Sequence, residues 1–422
     1  MARRQGGALT AVGARLGGSD GASVAAFLVP GLALWLPSGY SWGATWLLMC
    51  ALVGVRCWWR RPLDRSSWRL LLVIAGIGLL WSIDTGPQPG LGSAEMLLKY
   101  LLALPCLCFA VAAPPRPNAL WGGLAIGGVG SGVLALIQFF GLDHERASGL
   151  VNAIQYGDLS LLIGLMAWAA LSARWSHLGT GQRAWLAAGS AFGIIGSLLS
   201  LTRGGWLTLA LIAPILGVLL VRRGLATQAA KATLVVTAAV ALVWPFVHST
   251  LGARVSLASE EVAAYTDQDV TNTSVGLRLE LWNAALHMGM QRPLLGWGSA
   301  YKAGQQQAVR EGDADPLILT LDHAHNEFLD MFARRGLVGV VLLLLYLLVP
   351  LWLFWPPAAM PGDARAATRL ALSLVGILLP LGYLGFGLTQ VFFSHNSGHL
   401  FYLFMLILVH ATRVGIDAQR AR

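Results

Sequence analysis

Residues 336–354 read GLVGVVLLLLYLLVPLWLF, nineteen positions without a charge. A helix of that length covers roughly 28 Å, close to the hydrocarbon thickness of a bilayer. Working outward, windows of comparable character lie near 22–36, 41–56, 68–83, 95–112, 119–140, 154–173, 184–201, 205–221, 231–248, 368–392 and 398–413. The pattern predicts an all-α polytopic membrane protein with about 12 transmembrane helices. Several windows are short or interrupted by Gly and Pro, so one or two are candidates for re-entrant segments, the first pair above all.

Composition agrees. The chain has 422 residues, 56% hydrophobic and only 12% charged. Soluble domains carry about 25% charged residues, which excludes an ordinary soluble enzyme. The net charge of +9 would suit nucleic acid in a soluble protein, but here the basic residues act as topology signals and imply no nucleic-acid partner. With the N-terminus inside, 19 of the 29 basic residues fall in cytoplasmic segments, among them Arg3, Arg4, Arg15, Arg60, Arg61, Arg222, Arg223, Arg413, Arg420 and Arg422. The short outward loops hold only Lys99, Arg146 and Arg203. Both termini are expected in the cytoplasm. Cys50, Cys57, Cys106 and Cys108 lie in or beside apolar segments without paired spacing in an external loop, so neither a structural disulfide nor a zinc site is expected. No cleavable signal peptide is evident, and no internal repeat of the kind common in transporters.

Three regions follow: a nine-helix membrane region over 1–248, a long external segment over 249–335, and a three-helix membrane region over 336–422. The middle segment holds 11 of the 20 acidic residues. Thr271 to Ser274 offer helix N-caps, and 275–291 alternates apolar and polar residues before Pro293 and Gly296 stop it. This predicts an amphipathic helix along the membrane surface with Trp282 as its interfacial anchor.

Four places carry chemistry. At Thr202-Arg203-Gly204-Gly205, Ser200 or Thr202 is positioned to cap the eighth span, and the glycines leave the first backbone N–H groups uncovered for an anion. Arg278, one turn before Trp282, can fork onto phosphate oxygens, or pair with Glu280 or Glu261 instead. In His323-Ala324-His325-Asn326-Glu327, His325 stands near a helix N-terminus, where the dipole and nearby arginines favour a neutral ring able to accept a proton. Arg146, beside Asp143, His144 and Glu145, is a weaker anion ligand. Asp267-Gln268-Asp269 and Asp313-Ala314-Asp315 have the spacing of divalent-ion ligands, although solvated loop charge explains them more simply. No third ligand completes a metal set with the two histidines, and no nucleotide-binding glycine pattern is present.

His325-Asn326, then nine residues, then Gly336-Leu337-Val338-Gly339, resembles the signature of the bacterial O-antigen ligase/polymerase superfamily. Thr202-Arg203-Gly204-Gly205, and Arg278-Leu279-Glu280-Leu281-Trp282 leading to Pro293-Leu294-Leu295-Gly296-Trp297-Gly298, are similar to that family's arginine turn and loop core. The resemblance extends over about 146–350. It implies a long periplasmic loop containing amphipathic helices, in an enzyme of the bacterial inner membrane. One dominant loop resembles the ligase branch more than polymerases, which show two comparable loops, or protein O-oligosaccharyltransferases, which carry a larger C-terminal extension.

The implied reaction moves a glycan from undecaprenyl pyrophosphate to lipid A-core, without a cofactor or metal. Arg203 and Arg278, with Arg146, would hold the donor pyrophosphate, and His325 would orient or deprotonate the acceptor hydroxyl, giving inversion. Two readings of other classes stay open: a transporter or flippase for a lipid-linked solute, although charges gather at helix ends with Asp158, a few residues into the sixth span, the one plausible exception, and a scaffold of envelope assembly.

Overall fold

A computed structural model describes residues 18–83, 91–268, 270–357 and 362–419. Arg3, Arg4, Arg15, Asp269, Arg420 and Arg422 lie outside the described residues. Among those residues every regular element is helical. The first half comprises α1 (Ser19–Leu32), α2 (Gly39–Val53), α3 (Arg65–Leu80), α4 (Leu91–Ala112), α5 (Pro117–Leu136), α6 (Ala153–Arg174) and α7 (Thr180–Leu199). It is followed by α8 (Arg203–Arg222), α9 (Ala226–Val240), α10 (Trp244–Gln268), α11 (Ser274–Gln291), α12 (Tyr301–Glu311), α13 (Glu327–Phe354), α14 (Ala364–Phe386) and α15 (Asn396–Ala418).

Every apolar window falls on a helix, but the count of spans is smaller than twelve by length and hydropathy. Seven helices among the described residues are long and apolar enough to cross a membrane, corresponding to α4, α5, α6, α8, α13, α14 and α15. α1, α2 and α3 have 14, 15 and 16 residues, roughly 21 to 24 Å of rise. The expected span at 231–248 is broken: α9 and the start of α10 meet at 78°. Hence the external segment does not begin as a loop at 249, because α10 runs unbroken through that position to Gln268.

α6 and α14 form the centre. The apolar windows of both are 89% buried inside the protein, and they pack on each other while the remaining spans surround them. α5 and α7 touch through Gly128 and Gly189, where a Cβ on Gly128 would overlap the Gly189 carbonyl. Small residues give such close backbone approach in a membrane, where van der Waals contact rather than water exclusion drives helix association.

Contacts sort the helix ends into two sets. At one end Arg61 donates to the Ala112 carbonyl (3.1 Å), Arg223 to that of Pro356 (2.8 Å) and Arg413 to that of Leu353 (2.8 Å), while Arg369 pairs with Asp417 (2.5 Å). At the other, Lys99 donates to Asn396, Arg335 bonds the Ile83 carbonyl and Ser93 Oγ, and Glu327 receives the Phe393 N–H (3.0 Å). The second set holds the candidate site.

The glycine signature is a packing device. Gly336 adopts φ +61 within α13 and kinks it. A Cβ there would run into the Leu294 backbone, and Gly296 (φ +67) meets the Arg334 and Arg335 backbone in the same way. The freed N–H groups of Leu337 and Val338 bond the Pro293 (2.7 Å) and Leu294 (3.3 Å) carbonyls, and the Trp297 N–H bonds that of Ala333 (2.9 Å). The loop core and the Gly-x-x-Gly element thus lock the external segment onto α13. Gly336→Ala imposes a left-handed backbone on an L-residue and a steric overlap. It should lower stability by about 1–3 kcal/mol, read as a reduced melting temperature of the purified protein, whereas Gly312→Ala, at another left-handed glycine but in open space, should cost less.

Candidate active site

At the start of α8 the chain turns through Leu201, at φ +54. Arg146 pins this turn, donating from Nε to the Ser200 carbonyl (3.1 Å) and from Nη2 to Thr202 Oγ1 (3.3 Å). The expected side-chain cap is not made. Thr202 occupies the N-cap position, but its hydroxyl donates to the Ala153 carbonyl (3.0 Å) and Ser200 Oγ donates to the Ser197 carbonyl (2.6 Å). The acidic side chain facing this helix end belongs to the protein itself. Asp158, fully buried on α6, lies against the two glycines, and a Cβ on Gly205 would stand 2.9 Å from its Oδ1. The Gly205 N–H points at the carboxylate without closing a full hydrogen bond. The helix dipole that the glycines were expected to offer a ligand is therefore directed at Asp158, and the ligand is left to guanidinium groups.

Thr273 caps α11, accepting from the Gly276 N–H (3.0 Å), which places the start of this helix beside the turn. Arg146, Arg203 and Arg278 together line one small cavity of about 70 Å³, with Thr202, Ser274 and Thr389 supplying polar wall. Burial, then the neighbouring Arg203, pushes the Arg278 guanidinium below its ordinary range; Glu261 and Asp158 oppose this. Glu280 is engaged elsewhere, receiving the Tyr265 hydroxyl (2.7 Å) and the Asp315 N–H (3.2 Å). Three guanidinium groups around a pocket of this size select a compact anion with several oxygens.

His325 does not line that cavity but stands near enough to Arg278 to feel its charge. Asn326 caps α13, its Oδ1 accepting from Phe328 and Leu329 (both 3.1 Å), and His325 is left at φ +50. Asp330, buried one turn into α13, accepts from the Ala324 N–H (3.0 Å) and from Arg334 Nε (2.8 Å), and the Arg334 guanidinium stacks 3.7 Å from the Tyr301 ring centroid. Arg334 and Arg335 are thus structural ties of the histidine loop and α13. Burial first, then His323 and Arg278, pushes His325 down to about 3, with a bond to Gln390 opposing; burial likewise lowers His323 and His395. The neutral ring expected from the helix end owes more to desolvation than to the dipole.

Several residues here were not legible as site residues. His395 stands 5.6 Å, centroid to centroid, from His323, which is 4.3 Å from His325. With Thr389 and Gln390 it comes from the turn between α14 and α15, part of which had read as a continuing span. Asp313 and Asp315 are engaged separately. Asp315 accepts from Thr271 Oγ1 (2.6 Å) and the Leu317 N–H (2.8 Å), whereas Asp313 faces His287 (3.1 Å). Asp269 lies outside the described residues. His287, Glu311 and Asp313 form an exposed group whose ligand atoms lie within 4.8 Å of one another, nine residues along α11 from Arg278. Trp282 is half-buried on α11.

Residues 186–344 match a family model described as O-antigen ligase. The match covers 159 of the 422 residues, and over that segment the chain is similar to the family. The matched segment contains Arg203, Arg278, His325 and the Gly336–Gly339 element, and leaves out Arg146, Asp158 and the 387–395 turn. The chain is also similar to an uncharacterized protein of Haemophilus influenzae, with 24% identity over 320 residues, 75% of this chain and 78% of the relative. The seven helices long and apolar enough to cross a bilayer fit a multi-pass membrane setting.

Keeping three buried histidines neutral has a cost in acid. Unfolded histidines take up protons below about pH 6.5, whereas folded His325 does so only near 3. The unfolded state therefore binds more protons in this window, and stability present above pH 6.5 is lost progressively as the pH falls. Melting temperature should decline between pH 7 and 5, and the decline should be smaller in His325→Gln; equal slopes would show that the ring titrates normally.

Proposed function

We propose that this enzyme transfers a glycan from undecaprenyl pyrophosphate to a sugar of lipid A-core at the periplasmic face of the bacterial inner membrane, with both termini cytoplasmic. The observation that carries this reading is the meeting of Arg146, Arg203 and Arg278 at one cavity, with His325 close enough to feel Arg278. The donor diphosphate fits between the guanidinium groups. As the acceptor oxygen bonds to the anomeric carbon, the bond from that carbon to the phosphate oxygen breaks. Undecaprenyl pyrophosphate leaves with the electron pair, and the arginines stabilise the charge growing on it.

His325 takes or orients the acceptor proton from the face opposite the leaving group, so one displacement inverts the anomeric centre without a glycosyl-enzyme. A ring held near 3 is a feeble base in the empty site. The arriving diphosphate offsets the Arg278 charge and raises the proton affinity of His325 when it is needed. His323 Nδ1, His325 Nδ1 and His395 Nε2 are buried ring nitrogens without a hydrogen-bond partner among the described residues, a chemistry suited to sugar hydroxyls. Because permanent cations perform the charge stabilisation, no metal is needed in this scheme.

The test is transfer by purified protein given lipid-linked glycan and lipid A-core. Arg203→Ala and Arg278→Ala should each lower the rate by two to three powers of ten, about 2–4 kcal/mol, and His325→Ala by about 10²–10⁴-fold, with insertion intact. Arg146→Ala should cost less, since two of its donors serve the Ser200–Thr202 turn. Full activity in all three main variants would overturn the scheme, and loss of product on chelation would remove its metal-free part. Elongated glycan formed without lipid A-core would make the protein a polymerase instead.

A further inference from the structure

At the end of the bundle opposite the candidate site, α8 and α13 both pack on α14 rather than on each other. The gap between them is a cleft of about 1140 Å³. Its walls are apolar or aromatic, including Ile215, Val218, Trp352 and Trp355, with Val218, Trp352 and Trp355 all exposed. Its mouth is basic. Arg222 and Arg223 line it, and Arg69 stacks 4.8 Å from the Trp352 ring centroid.

The charges at this mouth differ from others on the same end. Arg116 pairs with Asp20 and Arg369 with Asp417, whereas among the described residues neither Arg222 nor Arg223 has a carboxylate partner. Arg223 ties α8 to α13 by donating from Nη2 to the Pro356 carbonyl (2.8 Å), and its Nη1 is buried with no partner. An apolar cleft between two helices, open to the bilayer and rimmed by uncompensated guanidinium groups, matches a molecule with a phosphate head and hydrocarbon tails.

We infer that this cleft binds an anionic phospholipid, its phosphate held by Arg222 and Arg223 and its acyl chains lying between α8 and α13. The site has a reach beyond its own position. α8 carries Arg203 at its far end, and α13 is preceded there by the His325 loop. A lipid wedged between the near ends therefore sets the spacing of the elements that present the arginine and the histidine.

The experiment incorporates the full chain into phosphatidylcholine nanodiscs with or without phosphatidylglycerol and measures retained lipid by native mass spectrometry, with no glycan substrate present. The wild type should retain phosphatidylglycerol in preference to phosphatidylcholine. Arg222→Ala with Arg223→Ala should weaken that retention roughly fivefold per arginine, about 25-fold for the pair, and Trp352→Ala should weaken it without changing charge. Arg222→Lys with Arg223→Lys preserves the charge and should restore most of the preference, which keeps the test valid if the alanine pair unfolds. Equal retention of both lipids by the wild type, or undiminished phosphatidylglycerol on the alanine pair, overturns the inference. Displacement of the bound lipid by millimolar inorganic phosphate, with the same dependence on the arginines, would assign a free-phosphate site instead. Transfer activity rising with phosphatidylglycerol in the wild type and not in the alanine pair would add the coupling; because retention is read without donor, a failed transferase assignment leaves the binding result standing.

Discussion

A helix that starts at a membrane surface has backbone N–H groups that water reaches poorly, and they must be satisfied by the protein. For α13 that demand organises the surrounding structure. The Asn326 side chain covers two of them, and the Glu327 N–H bonds the Gly387 carbonyl (2.7 Å). Beside this cap the preceding residue holds a left-handed backbone, φ +50, with the His325 ring turned toward Gln390 and His323. Asp330 then holds the loop from below through the Ala324 N–H. The position of the histidine is a by-product of closing a helix end.

The opposing half of the site obeys a complementary electrostatic logic. Arg203, Arg278 and Arg146 come from three segments distant along the chain, and around Arg278 the repulsion from Arg203 is opposed by Glu261 and Asp158. Burial is the main reason the histidine stays uncharged, and the Arg278 charge that favours an arriving anion adds to it. A bound diphosphate would offset only that smaller contribution.

Local patterns in the sequence carried much of this. Apolar runs marked the helices, Thr273 and Asn326 sit where polar caps precede periodic segments, and Arg203 stood out because the expected orientation puts it in a short loop where basic residues are scarce. What failed was whatever depended on distant partners. Thr202 looks like a cap but is drawn to the Ala153 carbonyl, 49 positions away. Asp158 gives no sign in the sequence that it will face the Gly204–Gly205 turn. Thr389 and Gln390 fall inside the window 368–392 and read as part of a span, His395 lies just beyond it, and only the fold brings Thr389 to the arginines and His395 to His323. Helix lengths, too, needed real end points: α9 and α10 share one apolar window yet part at 78°.

The three short helices near the N-terminus bear on the surrounding lipid. With roughly 21–24 Å of rise against a hydrocarbon core near 30 Å, α1, α2 and α3 fall several ångströms short of a full crossing, whereas α13 beyond its Gly336 kink runs 18 residues to Phe354, roughly 27 Å, and nearly matches the core. Mismatch costs fractions of a kcal/mol per ångström and is relieved by thinning the bilayer beside short segments. Thinning is therefore expected on the flank of α1 to α3 rather than beside α13, so that the depth at which a lipid headgroup rides would vary around the perimeter.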